Sequence, residues 1–529
     1  MASESPFNAG SRHASVKTAP VQFDPYNSRP PMADSLGADS GSHSAVAKEA
    51  LEDQEITMGE VEVSVGGPQV QLLGNNYVNV NDSLPILSDF KRIQMGEIHL
   101  QGDIRCVTRT QRLYAAKVST ENRTVMMYKG DNAEERWTED ILRYSHLRNP
   151  NFLQLFGYVT GTSQTRSYAA VFYGVMIPFE QFMSQHRKYH FLTVDIWAYF
   201  DEESEAVEDA FISTFDRVLG PHETGYLIDM SNNRICADLI PPAKPILPSP
   251  WIPNICVPRP KDIMAMADPK REDMIISSLP IEQYYELCNS HLSQSESVIV
   301  PPSTTAKLGA IVHPFQSESP VEIAFVPGID CDLKEGWRGW EMNQVMENGW
   351  TRCNSEDFFR EPIGGLTLDV RFPLSPNVWL SQANRILSRH FNSNPRNCVF
   401  VEQISFHLTM KPPNEPKPEG YLFVCPPAFF KAASCSFRWP DCPTYWALDP
   451  EGLKKLETEE ARNHGFPQVE LTTTIVQRTW DSAVYSGLRR LHEAKGFNPD
   501  SREIARSLGY LDYQLINKPG RVVARESLS

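Results

Sequence analysis

The sequence holds no run of about 18 apolar residues, so nothing in it reads as a membrane span. It has no charged-then-apolar leader of the secretory type, which makes Asn81 and Asn122, each in a glycosylation-type triplet, unglycosylated positions. It has no C-x-x-C pair, which removes the usual zinc and thiol-redox frameworks. It has no long Lys/Arg run, and Asp and Glu outnumber Lys and Arg by 66 to 50, a formal net charge of −16. A balance that acidic argues against nonspecific binding to nucleic acid or anionic membrane, since both need a basic footprint. Internal repeats, a nucleophile elbow, H-E-x-x-H, a Walker A loop and an EF-hand loop are all missing.

What is present is ordinary for a globular chain. Hydrophobic residues make up 41% and charged residues 22% of 529, enough for two to four domains with their own cores. Ten cysteines are scattered without a framework and read as reduced, mostly buried thiols, with an intracellular, cytoplasmic setting as the expectation. Cys425, Cys435 and Cys442 are the densest group, and their spacing fits packing better than zinc.

Thr124 to Gly157 organises the rest. Val125, Met126, Met127 and Tyr128 are a strand-length apolar run ended by Gly130. Asp131 is placed as an N-cap, with Glu134 three residues on as the reciprocal acid of a capping box. Trp137, Ile141, Tyr144 and Leu147 then recur at helical spacing, so one face of the helix is apolar. Asn149-Pro150 stops that helix, because the residue before proline avoids the helical region. Phe152 to Phe156 is the next strand-like run.

L-R-N-P-N-F-L-Q-L-F-G, Leu147 to Gly157, resembles the turn that follows the αC helix in many protein kinases. Ser167 to Pro178 is similar to the fifth strand running into the hinge, and Phe179 onward to the short helix beyond it. The resemblance implies a kinase small lobe, and with it phosphate-cradling glycines, a Lys–Glu ion pair, a catalytic Asp and magnesium ligands. Most of those parts are replaced. Only Gly96 and Gly102 lie where a G-x-G-x-x-G loop would be, Met126 stands at the strand-lysine position, and no H-R-D occurs. The αC glutamate position falls on Asp140. Asp238-Leu239-Ile240 stands either where D-F-G would be or in a plain hairpin turning at Asn232-Asn233. Lys129, Asp140 and Asp238 are the candidate nucleotide-binding residues; no catalytic or metal-binding residue is assigned. The order of segments also resembles a large family of kinase-like proteins from mushroom-forming fungi, in which a degenerate small lobe precedes a long C-terminal region.

The remaining chain divides by composition. Residues 1–59 read as a disordered tail, poor in aromatics. Residues 60–86 alternate at period two, as an edge hairpin or a linker, and 87–190 make the small-lobe-like domain. Residues 191–240 resemble a truncated large lobe: an acidic helix closed by Gly220, then a hairpin. Its carboxylates, including Asp201, Glu202, Glu205, Glu208 and Asp209, read as a solvated face, and His186 and His190 as a surface pair. Residues 241–260 carry eight prolines, as a strap packed through Trp251 or an SH3-type ligand. Residues 261–529 mix strands with isolated helices, with Trp337, Trp340 and Trp350 either in a core or on a stacking platform. The fold class is therefore α+β. The function expected is a non-catalytic kinase-like scaffold that binds a protein partner, without nucleic acid or membrane. The alternatives are a divergent ATP- and magnesium-dependent phosphotransferase and an enzyme of another class with its site in the C-terminal half.

Overall fold

The computed structural model describes residues 85–106, 111–161, 167–220, 223–239, 263–266, 268–313, 321–331, 336–339, 344–356, 365–390, 398–410 and 418–516. The tail 1–59, residues 60–84, the strap 241–260 and Trp340 lie outside the described residues. The fold is mixed α+β with several antiparallel sheets.

The N-terminal sheet has six strands: β1 (Lys91–Arg92), β2 (Ile98–Cys106), β3 (Gln111–Val118), β4 (Glu121–Tyr128), β5 (Leu155–Val159) and β6 (Tyr168–Phe172). Their order is β1-β5-β6-β4-β3-β2, antiparallel except where β1 meets β5. The run Val125 to Tyr128 is apolar throughout because β4 is central and covered on both faces. Met126 and Tyr128, with Leu113, face helix α1 (Ala133–Ser145). Val125 and Met127 face the other way, onto Ile93, Ala116 and Val159.

Two local expectations change here. Asp131 is not the N-cap: Gly130, at φ 100°, starts a turn that consumes Asp131 and Asn132. Ala133 N–H bonds the Gly130 carbonyl at 3.2 Å, and Asn132 sits at the cap without a side-chain bond. The strand expected from Phe152 begins only at Leu155. Phe152 and Leu153 are used elsewhere: Leu153 N–H donates to Ala237 O at 3.1 Å, and Ala237 N–H to Asn151 O at 2.8 Å.

Those bonds reach a second, three-stranded sheet of β7 (Met176–Pro178), β8 (Gly225–Asp229) and β9 (Arg234–Asp238). Asn233 takes the left-handed conformation in the β8–β9 turn, which asparagine tolerates better than most residues. Between β7 and β8 come α2 (Phe179–His186) and the long helix α3 (His190–Phe215). Helix α3 ends at Asp216, left-handed at φ 52°, whose N–H bonds Ile212 O at 2.9 Å, before it reaches the expected Gly220.

At about 1.5 Å per residue α3 is roughly 39 Å long, and two cores share it. Ile196, Tyr199, Phe200, Val207 and Phe211 join the core beneath α1, whereas Phe191, Leu192, Val194 and Ala198 join a second one. Its acids are not all on a solvated face. Asp201 accepts from His291 Nε2 at 2.8 Å, and Asp195 pairs with Arg271 at 3.2 Å, all four side chains buried or nearly so. The reason is that α3 packs against α5 (Glu272–Ser278) and α6 (Ile281–His291), which follow the short α4 (Ile263–Met266). Glu202, Glu205 and Asp209 remain exposed. His190 is likewise no surface residue: the helix break at 187–189 separates it from His186 and turns it onto Tyr284 Oη at 2.7 Å.

The second half is built on a seven-stranded antiparallel sheet whose long members, Val399–Met410 and Val469–Trp480, pair along most of their length. Helices Asn377–Leu380, Ala383–His390 and Ser482–Ala494 pack with α3, α5 and α6 on it. Asp481 caps the last of these, accepting from Ala483 and Val484 N–H. Two smaller sheets enclose a third core, with Phe406, Phe430, Trp439 and Trp446. Trp337, against Phe430 and Trp439, and Trp350, beside Tyr445, are both half-buried and packed on that core, each against different rings. The reading of every cysteine as reduced is corrected: Cys331 and Cys435 are disulfide-bonded. Cys236, Cys288, Cys398 and Cys425 are free and buried, and Cys442 is free and exposed.

Candidate functional site

Helix α1 carries Asp140, Arg143 and Tyr144 within about one turn, and the sheet geometry decides what they meet. Because side chains alternate along a strand, Met126 and Tyr128 point at α1 while Lys129 continues the opposite face. Lys129 is exposed at the end of β4. The structure therefore brings Asp140 and Asp238 together and leaves Lys129 out.

Asp140 is 5% exposed. One carboxylate oxygen accepts from Arg143 Nη1 at 3.0 Å, and the other from Tyr128 Oη at 2.9 Å and Gln111 Nε2 at 3.0 Å. The Met126 sulfur lies 3.1 Å from the same tyrosine hydroxyl. Burial pushes the Asp140 carboxyl up to about 6; Arg143 and the Tyr128 hydroxyl pull it down, and Asp238 and Glu139 raise it further. Desolvation therefore outweighs the ion pair, as expected of a carboxylate taken from water with a partner that is only partly buried.

Asp238 is fully buried at the end of β9. Its carboxylate accepts from Tyr144 Oη at 2.7 Å, and that hydroxyl accepts in turn from Leu239 N–H at 3.1 Å. Arg143 Nη1 also lies 3.4 Å from the Leu239 carbonyl. Thr224, just before β8, donates its hydroxyl to the Asp238 carbonyl at 2.8 Å. Burial is the leading cause that raises the hydroxyl pKa of both Tyr128 and Tyr144 well above the ordinary phenol value, so both remain donors. The result is a continuous polar chain, Gln111–Asp140–Arg143 and Tyr144–Asp238, clamping α1 to the β8–β9 hairpin inside an apolar core.

Chemically, this arrangement can hold two carboxylates in place and keep Asp140 close to a neutral-pH proton equilibrium. Tyrosine, glutamine and arginine side chains donate to these carboxylates. Among the described residues no group of three or more His, Cys, Asp or Glu side chains is placed to hold a metal ion. Gly96 and Gly102 lie in open surroundings at the edge hairpin, and residues 107–110, between β2 and β3, lie outside the described residues.

Sequence reading missed Gln111, Tyr128, Arg143 and Tyr144. Tyr144 counted as apolar because it sits on the buried face of α1; the signal was a hydroxyl on a residue that helical spacing places at a core position. Buried tyrosines need a partner for that oxygen. No protein-family model matches this chain, and a search of curated proteins finds no match.

Proposed function

We propose that this chain is a non-catalytic, kinase-like interaction protein in which the N-terminal sheet and α1 act as a scaffold. The single observation that carries the reading is the set of groups around Asp140. Where a working kinase needs a lysine reaching from the strand to the helix acid, the Tyr128 hydroxyl and Gln111 amide hold that acid, and Met126 fills the lysine's place. Asp238, at the position compared with the magnesium-binding acid, is tied to Tyr144 and fully buried. Supporting this are the segment order, the antiparallel sheet with one main helix, and the following helix and hairpin. The partner would be a protein, met by the solvent face of α1, where Glu134, Glu135, Arg136 and Glu139 are exposed. Neither nucleic acid nor membrane fits the charge, and no helix among the described residues is long and apolar enough to cross a membrane. A cytoplasmic setting fits the free thiols, and the Cys331–Cys435 bond stands against it.

A divergent phosphotransferase is the second reading, favoured by one feature. Arg143 is 26% exposed at its side chain and touches both Asp140 and the backbone carbonyl of Leu239, the residue after Asp238, so a cation bridges the two segments that carry the acids. Thermal unfolding of the full chain with ATP, with and without magnesium, separates the two. A nucleotide at a hundred times its dissociation constant adds about 2.7 kcal/mol of stability. The scaffold reading expects no shift. A magnesium-dependent shift abolished by Asp238→Asn would overturn it.

A further inference from the structure

Where the second core meets the C-terminal segment, the chain buries a guanidinium. Arg385, on the helix Ala383–His390, is 1% exposed. Its Nη2 donates to Gln382 Oε1 at 3.1 Å and to the Tyr513 carbonyl at 3.2 Å. Nε and Nη1 are buried with no hydrogen-bond partner. Unmet donors on a buried charge are costly, and native structures supply a partner for nearly all such groups.

The neighbours enlarge the deficit. Burial and the like charges of Arg502, Arg389 and Arg506 depress the Arg385 pKa to about 10, and Asp512 opposes them. Asp512 is already shared: its Oδ2 takes Arg502 Nη1 at 3.2 Å and Arg506 Nη2 at 3.1 Å. Its Oδ1 is buried with no partner. Asp500, the acid beyond, is held by both terminal nitrogens of Arg489, at 2.8 and 2.9 Å. Arg502 and Arg506 thus share the Asp512 carboxylate, and Arg385 and Arg389 add like charge beside them, in a chain whose formal net charge is −16.

A water molecule could answer one free donor but not the excess charge. An oxyanion answers both, and guanidinium clusters suit it through multiple charge-assisted bonds. We propose that Arg385, Arg389, Arg502 and Arg506 form a binding site for a phosphate group, as the free anion or a monoester. Arg502 and Arg506, 43% and 64% exposed, form the open side, and Arg385 is the buried member. The free Asp512 oxygen selects within the class. Hydrogen phosphate carries a hydroxyl that can donate to it, and sulfate at neutral pH does not.

The test is thermal unfolding of the dialysed full-length chain in sodium phosphate, glycerol 3-phosphate, sodium sulfate and sodium chloride at matched pH and ionic strength. The variant is Arg502→Gln/Arg506→Gln, which alters exposed side chains and leaves the Gln382–Arg385–Tyr513 contacts intact. Phosphate or its monoester should raise Tm above the chloride value, with the dissociation constant at least about tenfold weaker in the variant. A larger effect of the monoester assigns the site to a phosphorylated ligand, and an equal effect to the free anion. Equal stabilisation by sulfate would overturn the choice of phosphate. No rise over chloride, or the same rise in the variant, would overturn the site.

Discussion

Replacing Asp140 by asparagine should flatten part of the protein's pH–stability profile. The Asp140 carboxyl is raised from 3.8 to about 6 in the folded chain, chiefly by burial. At about 1.4 kcal/mol per pK unit, that shift is worth roughly 3 kcal/mol. The native state therefore binds the Asp140 proton more tightly than the unfolded chain does. Its contribution is fully present below about pH 4 and is lost as pH rises through about 6. Asparagine keeps an oxygen for Tyr128 and Gln111 and removes the buried charge, at the expense of the Arg143 contact, whose arginine can turn to solvent. Relative to the wild type, Asp140→Asn should gain about 2–3 kcal/mol between pH 4 and pH 7. Urea denaturation across that range, read by tryptophan fluorescence, measures it. Parallel wild-type and variant profiles would refute the argument, because they would mean the carboxylate titrates in the folded state as it does in water. Asp140→Ala is the control: it leaves the Tyr128 and Gln111 donors without this partner and should cost stability at every pH in the range.

Three further outcomes follow from particular contacts. Tyr144→Phe removes the hydroxyl between Asp238 and Leu239 and should cost about 1–3 kcal/mol by denaturant midpoint; a cost below a few tenths would mean the clamp is not made. Gly487→Ala places a methyl 2.4 Å from both His190 and the Tyr284 hydroxyl, so about 1–3 kcal/mol of overpacking is expected in the same assay. Alkylation of native, unreduced protein should label Cys442 and spare Cys331 and Cys435 by mass spectrometry, and Cys331→Ser should lower stability by about 2–4 kcal/mol, since the bond joins residues 104 apart.

Periodicity carried the regular elements well, and chemistry carried the contacts poorly. Ser482 to Ala494 was legible to the residue because Asp481 is a true cap and Gly496 follows the end. The apolar stripe of α1 was legible from its helical spacing alone. The capping box at Asp131 was not, because a left-handed glycine just before it used the two candidate cap residues to complete a turn. Asp201 and His190 were misplaced because both face partners from the second half of the chain, His291 and Tyr284, ninety or more residues away. Helical spacing tells which side a residue occupies, not whether that side meets water. Within the candidate site, Asp140 and Asp238 could be picked out as acids at kinase-like positions. Their partners could not, since a tyrosine hydroxyl or glutamine amide leaves no spacing signal.

The placement of α3 bears on what holds the N-terminal sheet and α1 in place. Its first ten residues send side chains into both cores, and buried pairs with Arg271 and His291 tie it to the helices that follow. Breaking one partner of a buried pair costs more than the pair itself contributes, because the other charge is left unpaired. A sheet and helix held this way are constrained by packing toward the rest of the chain. That constraint acts on the apolar skeleton of β4, α1 and α3.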